Sequence, residues 1–398
     1  MASYLQQFGA VVRNEFRTIF TDGGVLLILV FAMLIYATAY SLAYGSQVLR
    51  NVPIGVVDAC RTATSRSLIE TFNAGPNTYV AYEPTDMEEA RELFYGRKIY
   101  GVVYIPSDYE RKLVGGSQAD VAIYCDASYF LMYRQVFQEL VTTIGQTGAM
   151  VEFRRLIAKG ADIPQAQAVT QPVIYQSHNL FNPYLGYGTF VMPAIIIVII
   201  QQTMLIGIGM IGGTWREHGL YRKLRPAGRG RMSTLPIVLG RATVYALIYA
   251  VTCAYVLGLH YRMFHFPMNG QTGAVALFTA VYLAACIAMS IAVSTLFRYR
   301  ENSLLLLLWT SIPVLMLSGI SYPREGIPEW MFALGKLFPS SHGVNGFIRI
   351  QTMGASLGEV FAEIKWLVIL TVAYGGLACI GIHQVIRREE RERCGKGE

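Results

Sequence analysis

The sequence predicts a polytopic α-helical membrane protein with six transmembrane helices and an α/β extracytoplasmic domain inserted between the first and second. Three observations carry this expectation. Of the 398 residues, 53% are hydrophobic and only 15% charged, whereas an ordinary globular chain is about 25% charged. Six runs are apolar for close to the roughly 20 residues that a helix needs to cross a hydrocarbon core about 30 Å thick. Between the first and second runs, residues 45–187 are of mixed polarity and alternate strand-like and helix-like patterns. The mean hydropathy of +0.39 excludes a disordered chain, and six cysteines are too sparse for a disulfide scaffold.

The elements follow in order. In residues 1–23, Leu5, Phe8, Val12, Phe16, Ile19 and Phe20 recur at helical spacing, with Arg13 and Arg17 off that stripe. This pattern predicts an amphipathic helix lying on the membrane surface. The first apolar run covers 24–44. It contains Ala37-Thr38-Ala39, which matches a signal-peptidase site as a string, but the segment before it is long and patterned rather than a short basic stub. The run is therefore read as a retained span. The remaining runs are 188–211, 235–258, 273–297, 303–320 and 364–386, the last five forming a transmembrane domain over 188–386.

Within 45–187, strands are expected at 52–58, 99–106 and 120–127, an extended segment at 77–83, and helices at 61–73 and about 129–159. Thr85-x-x-Glu88 reads as a capping box opening a helix to about Tyr95. VIYQSH (173–178) reads as a returning strand. The order implies a small α/β domain with a partly parallel sheet. Cys60 and Cys125 share this stretch. A disulfide between them is open, because spacing does not supply the geometry.

Charge sets the orientation. The segment 212–234 carries Arg216, Arg222, Lys223, Arg225, Arg229 and Arg231 against Glu217 alone, Arg298 and Arg300 follow the fourth run, and the tail 387–398 is rich in Arg. The positive-inside rule places these in the cytoplasm, with both termini inside and the polar domain outside. The net charge of +7 is then a matter of topology, and no nucleic-acid partner is expected.

Catalytic and metal motifs are absent. Gly207-x-Gly209-x-x-Gly212 matches a dinucleotide fingerprint as a string but ends an apolar run instead of joining a strand to a helix, so it reads as close helix packing through Gly209 and Gly213. There is no G-x-x-x-x-G-K-[ST], no H-E-x-x-H and no G-x-S-x-G, and no cysteine or histidine spacing suits a metal. Ser340-Ser341-His342 near Arg349 reads as loop chemistry. No Asp, Glu, Lys or Arg lies well away from the span ends, which argues against an ion-coupled carrier. The chain is not expected to be an enzyme.

Two stretches are more informative. Trp215-Arg216-Glu217-His218-Gly219-Leu220, continuing to Leu224-Arg225-Pro226, makes a compact cytoplasmic knob suited to docking in another protein's groove. Residues 321–363 hold two short apolar segments broken by prolines, which read as an outer re-entrant or interfacial hairpin.

Together these residues resemble the permease subunits of ABC exporters of the ABC type-2 (ABC-2) class. The family's loop after its second span is matched loosely by Trp215 to Gly219 and Leu224 to Pro226, with Leu220 where Thr is usual. Its stretch between the fifth and sixth spans is matched by Gly319, Tyr322-Pro323, Pro328-Glu329-Trp330, Pro339 and Arg349. The resemblance implies a permease subunit that exports a substrate across the bacterial inner (cytoplasmic) membrane. It pairs with a second permease, identical or related, and with separate ABC ATPase subunits that bind ATP and Mg. No cofactor is expected in this chain. The 212–234 segment becomes the ATPase-coupling loop, and the substrate route follows the second and fifth spans, pointing to Gln201, Gln202, Thr203, Thr310 and Ser311. Each of these reads equally well as hydrogen-bonding glue within one subunit. The outer domain would cap the exit or meet a periplasmic adaptor, and membrane lipid surrounds the rest. The alternative is a membrane-anchored sensor whose extracytoplasmic domain binds a ligand.

Overall fold

The computed structural model describes residues 2–174, 176–221 and 234–395. Helix α1 (Ala2–Thr21) stops at Asp22, whose carboxylate accepts hydrogen bonds from the backbone N–H groups of Gly24 and Val25 and so caps α2 (Gly23–Leu26). A π-helical turn, Leu27–Phe31, carries α2 into α3 (Ala32–Ala43), making Gly23–Ala43 one long apolar helix.

Residues Val48–His178 form a compact unit of their own. It runs β1 (Val52–Asp58), α4 (Ala63–Asn73), β2 (Thr78–Tyr82), α5 (Met87–Tyr95), β3 (Gly101–Ile105), α6 (Tyr109–Val114), β4 (Ala122–Cys125), α7 (Phe130–Ala158) and α8 (Ile163–Thr170). The sheet order is β2-β1-β3-β4, with β1 parallel to both β2 and β3, and β4 antiparallel to β3. The step from β1 to β2 and the step from β2 to β3 run in opposite directions along the sheet. Right-handed crossovers then put their helices on opposite faces. Accordingly, Leu68 and Phe72 of α4 pack with Ile54 and Val56 of β1 and with Val136 and Leu140 of α7, while Ala90 of α5 packs with Val57 and Val102 on the other face. The central strand is covered on both sides, which is why VPIGVV reads as a continuous apolar run instead of an alternating one.

Three expectations for this unit need correction. The cap of α5 is Asp86, which accepts from the N–H groups of Glu88 and Glu89, while Glu89 reaches back to the N–H of Thr85; the box sits one residue later than Thr85-x-x-Glu88 because a carboxylate outcompetes the neighbouring hydroxyl. The described residues of 173–178 join no strand. Short helices α6 and α8 occur where no helix was expected. Cys60 and Cys125 are free thiols, and burial pushes that of Cys125 up to about 11.

The second unit comprises Met1–Gln47 and Asn179–Glu398. After α3 its helices are α9 (Tyr187–Glu217), α10 (Leu235–Ala254), α11 (Tyr261–Met263), α12 (Thr272–Ser294), α13 (Glu301–Leu317), α14 (Glu329–Gly335), α15 (Pro339–Phe347) and α16 (Phe361–Gly395). A π-helical stretch, Tyr255–His260, joins α10 to α11, so the third apolar run reaches Met263 instead of ending at 258. Among the described residues, five helices are long and apolar enough to cross a membrane: Gly23–Ala43, Tyr187–Glu217, Leu235–Met263, Thr272–Ser294 and Phe361–Glu392. Helix α13 has 17 residues, about 26 Å of helix. Gln47 ties the ends of α3 and α9 together: its carbonyl accepts from Tyr187 N at 2.7 Å and its side-chain Oε1 from Thr189 N at 2.9 Å.

Helix α9 is the axis of this unit, buried along nearly its whole length and packed against α12, α13 and α15. Close packing, rather than water exclusion, is what associates helices in lipid. At Gly213 any Cβ would stand 2.5 Å from the Tyr299 carbonyl, so only glycine lets the α12–α13 turn come this near.

Helix α1 packs on α10 through Gln7, Val11, Glu15 and Ile19, which recur every four residues and are buried. Of the stripe expected on the membrane surface, Leu5, Phe16 and Phe20 are exposed at 71%, 48% and 50%, whereas Ile19 is buried against the protein. The helix is turned so that its one acid reaches a buried partner, leaving an apolar strip flanked by the exposed Arg13 and Arg17.

Candidate functional site

The candidate site is built where α9 ends. The last turn of α9 closes in a Schellman motif: Gly219 N donates to Arg216 O at 3.2 Å and Leu220 N to Trp215 O at 2.8 Å, with Gly219 at φ +60°. Glycine, having no Cβ, adopts that left-handed turn at the least cost. The turn leaves Glu217 and His218 exposed, half-buries Leu220 against the core, and sends Tyr221 back inside. His218 Nδ1 lies 2.9 Å from Thr214 O, and Arg216 Nη1 donates to Thr295 O at 3.0 Å, joining this end of α9 to the end of α12. Helix α9 runs through Glu217, so the first six residues of segment 212–234 are helical and the loop begins at His218. Leu224 and Pro226 lie outside the described residues.

Beneath this turn lies a feature that sequence reasoning missed. The side chains of Glu15 (α1) and Arg241 (α10) are fully buried, and Arg241 Nε stands 2.9 Å from Glu15 Oε1. Tyr245 OH donates to the same carboxylate oxygen. The Arg241 guanidinium lies 5.1 Å from the centre of the Trp215 ring, and that ring meets Tyr221 edge-on at 5.6 Å. The two residues flanking the exposed turn, Trp215 and Tyr221, thus rest on a charge pair that joins α1 to α10. A signal was present: Glu15 is the one acid of α1, and Arg241 lies two turns inside an apolar helix. It was close enough to the helix end to escape the test for intramembrane charge.

A second pair holds the elbow between α1 and α2. Arg300 donates both guanidinium nitrogens to the Asp22 carboxylate, with Nη2–Oδ1 at 2.9 Å. The hydrogen bond from Arg300 holds the Asp22 carboxyl below the usual carboxylate range.

The polar residues expected along a substrate route divide by their partners. Gln201 Oε1 accepts from Ser340 N at 2.7 Å, fixing the first turn of α15 to α9, and Thr203 Oγ1 receives Tyr249 OH at 2.8 Å from α10 while donating to Ile199 O. These two act as helix-to-helix glue. Both amide atoms of Gln202 are buried with no partner among the described residues. On α13, Thr310 donates to Leu306 O and Ser311 is half-buried. No hydrogen bond joins Thr310 or Ser311 to Gln201, Gln202 or Thr203 among the described residues.

The segment 321–363 folds as α14 and α15. Pro323 precedes a short 3₁₀ turn, Pro328 leads into α14, and Pro339 is the first residue of α15, where its missing N–H is no loss. Trp330 is 67% exposed. Arg349 pairs with Glu363 of α16 at 3.1 Å, and the same oxygen accepts from Asn345 Nδ2 at 2.5 Å. Arg324 Nη2 reaches Ser341 O at 2.6 Å. Among the described residues no group of three His, Cys, Asp or Glu side chains could hold a metal ion.

Five long apolar helices, packed closely around α9, are the build of a multi-pass membrane protein. The chain belongs to the ABC-2 family of transporter proteins, whose model matches residues 23–380. It is 21% identical over 372 residues to the probable multidrug ABC transporter permease YbhR of Escherichia coli K12, covering 92% of this chain and 96% of that one. It is 25% identical over 386 residues to the inner membrane transport permease YhhJ of the same organism, covering 94% and 96%. ABC transporter G family member 20 of Dictyostelium discoideum is 21% identical over 365 residues, covering 91% of this chain and 48% of that protein. The chain is thus a transmembrane permease subunit. Its family implies association with ABC ATPase subunits, and such permease subunits are generally non-catalytic.

Proposed function

We propose that this chain is the permease subunit of an ATP-driven exporter in the inner membrane, working with separate ATPase subunits and a second permease, identical or related. The observation that carries the reading is the anchoring of the α9 turn. Glu217 and His218 face outward for a partner, while Trp215 and Tyr221 on either side rest on the Arg241–Glu15 pair. A push on the turn reaches α10 and α1 together. ATP and Mg, bound by the partner, supply the energy difference between two conformations of the complex. Within this chain, the turn receives the movement and the α9 axis passes it to α12, α13 and α15.

In this reading α13 is a sixth span beside the five longer helices, and both termini and the basic loops are cytoplasmic. Unit 48–178 lies outside as a cap or adaptor contact. Helix α1 rests in the membrane interface on Leu5, Phe16 and Phe20, and α14–α15 form the outer hairpin. Gln202, whose amide oxygen and nitrogen both lack a partner among the described residues, faces substrate or the second permease, with Thr310 and Ser311 on the opposing helix. The names of the relatives, a multidrug permease and an inner membrane transport permease, support transport over the sensor alternative.

The test is capture of the tagged chain from its native membrane in mild detergent, beside a Glu217→Ala/Gly219→Pro double variant. Wild type is expected to bring down an ATP-binding subunit with ATPase activity, and the variant to lose it. Intact wild-type protein that captures no ATPase would overturn the reading.

A further inference from the structure

A groove runs along the face shared by α10, α12 and α16. Its first part encloses about 920 Å³ and is lined almost wholly by apolar and small side chains, among them Ala246, Leu247, Ala284, Val372 and Gly376. The second part encloses about 400 Å³ and continues the first, since Ala250, Ala280 and Leu283 line both. The character changes at its far end. There the wall includes Arg262, Gln351 and Thr279. Arg262 is exposed and makes no hydrogen bond or ion pair among the described residues. Gln351 is 2% exposed, and among the described residues neither its amide Nε2 nor the buried Thr279 Oγ1 has a partner.

A buried donor without an acceptor costs free energy unless something outside the chain satisfies it. A bare guanidinium beside it calls for an anion, and Arg is suited to a phosphate because its N–H groups match the oxygens in pairs. Elsewhere the wall is apolar apart from Thr243, Thr371 and Thr272, and the first two donate their hydroxyls to carbonyls of their own helices. It offers a long slot of Ala, Gly, Leu, Ile and Val on helices apolar enough to cross a membrane. One ligand chemistry meets both halves: a phosphate ester at one end and an aliphatic chain at the other.

We infer that the groove is a binding site for one anionic membrane phospholipid, with its acyl chain between α10, α12 and α16 and its phosphate on Arg262 and Gln351. The bound lipid completes the packing of three helices that otherwise leave a gap. The groove shares no lining residue with the α9 turn or with Gln202. The inference rests on α10, α12 and α16 crossing a membrane, and it does not depend on the direction of transport or on any ATPase.

The test is native mass spectrometry of the purified full-length chain, stripped of lipid in detergent and titrated with phosphatidylglycerol, phosphatidylcholine, or glycerol phosphate as the chainless control. Wild type is expected to retain one phosphatidylglycerol at least fivefold more strongly than phosphatidylcholine, and not to take glycerol phosphate. Arg262→Gln, a change at an exposed position, is expected to erase that preference with thermal unfolding unchanged. Ala280→Phe, which fills the shared part of the groove, is expected to reduce binding of both lipids. Equal binding of the two lipids by wild type would overturn the proposal, as would an unaltered preference in Arg262→Gln. If Ala280→Phe dissociates a permease dimer while leaving lipid binding intact, the groove belongs to a second copy and the proposal is also overturned.

Discussion

Glu15 and Arg241, 226 positions apart in the chain, form an ion pair with both side chains fully buried and Nε–Oε1 at 2.9 Å. Removing one member leaves an unpaired charge inside the protein, which typically costs about 3–5 kcal/mol. Glu15→Gln and Arg241→Met are each expected to lower the thermal unfolding midpoint in detergent markedly. The double variant Glu15→Leu/Arg241→Met is expected to recover most of that stability, because no charge is then stranded. If the pair also transmits movement, the stable double variant will still bind the ATPase but couple it poorly to transport. Full transport by the double variant would reduce the pair to a packing feature.

Gly219 holds a left-handed turn that costs other residues about 1–2 kcal/mol. Gly219→Val is therefore expected to loosen the Schellman closure without disturbing the buried part of α9. Capture of the ATPase should fall severalfold, and unfolding should shift only slightly. Gly219→Asn, which tolerates the same conformation, should retain most of the capture.

Gln201 and Gln202 are neighbours with opposite expected phenotypes. Gln201→Leu removes the acceptor for the buried Ser340 N–H and is expected to cost about 1–3 kcal/mol of stability. Gln202→Leu removes an amide that has no partner among the described residues, so stability should hold or rise. Its effect should appear in substrate transport instead. Equal destabilisation by both substitutions would show that Gln202 is also glue.

The Asp22–Arg300 pair carries a pH signature. Its hydrogen bond lowers the Asp22 pKa, so its stabilisation is fully present above the ordinary aspartate range and is lost as pH falls through the lowered value. Unfolding followed from pH 7 down to pH 5 should show no loss from this pair, and a loss should set in only below about pH 4. Asp22→Asn should be less stable at neutral pH and should show a weaker acid dependence there.

In the outer unit, burial pushes the Cys125 thiol up to about 11, so at pH 8 only about one part in a thousand is thiolate, the reactive form. Alkylation of native protein at pH 8 should be correspondingly slow at Cys125 and become fast on unfolding. Reductant should change neither rate, because Cys60 and Cys125 are free thiols.

The apolar runs and the four extended segments of the sheet were legible because each is written in adjacent residues, whereas the left-handed stop at Gly219, after a helix that runs six residues past the expected loop start, was not. Twenty apolar residues have to satisfy their backbone as helix in hydrocarbon, and a β-branched run flanked by turn residues extends. Membership of the ABC-2 family was legible for the same reason, since its motifs are short and ordered along the chain. What the local pattern could not settle is which surfaces meet. The apolar stripe of α1 was expected on the membrane surface, and Leu5, Phe16 and Phe20 are indeed exposed, but the pattern gave no sign that the other face buries Gln7, Val11, Glu15 and Ile19 against α10 with Glu15 paired to Arg241. Three polar neighbours on α9 looked alike until tertiary contacts gave Gln201 to Ser340 and Thr203 to Tyr249 and left Gln202 without a partner among the described residues. Periodicity and composition act over one or two turns of chain. Pairing of charge, satisfaction of buried amides and the choice of an exposed face act across hundreds of residues, and only the folded packing decides them.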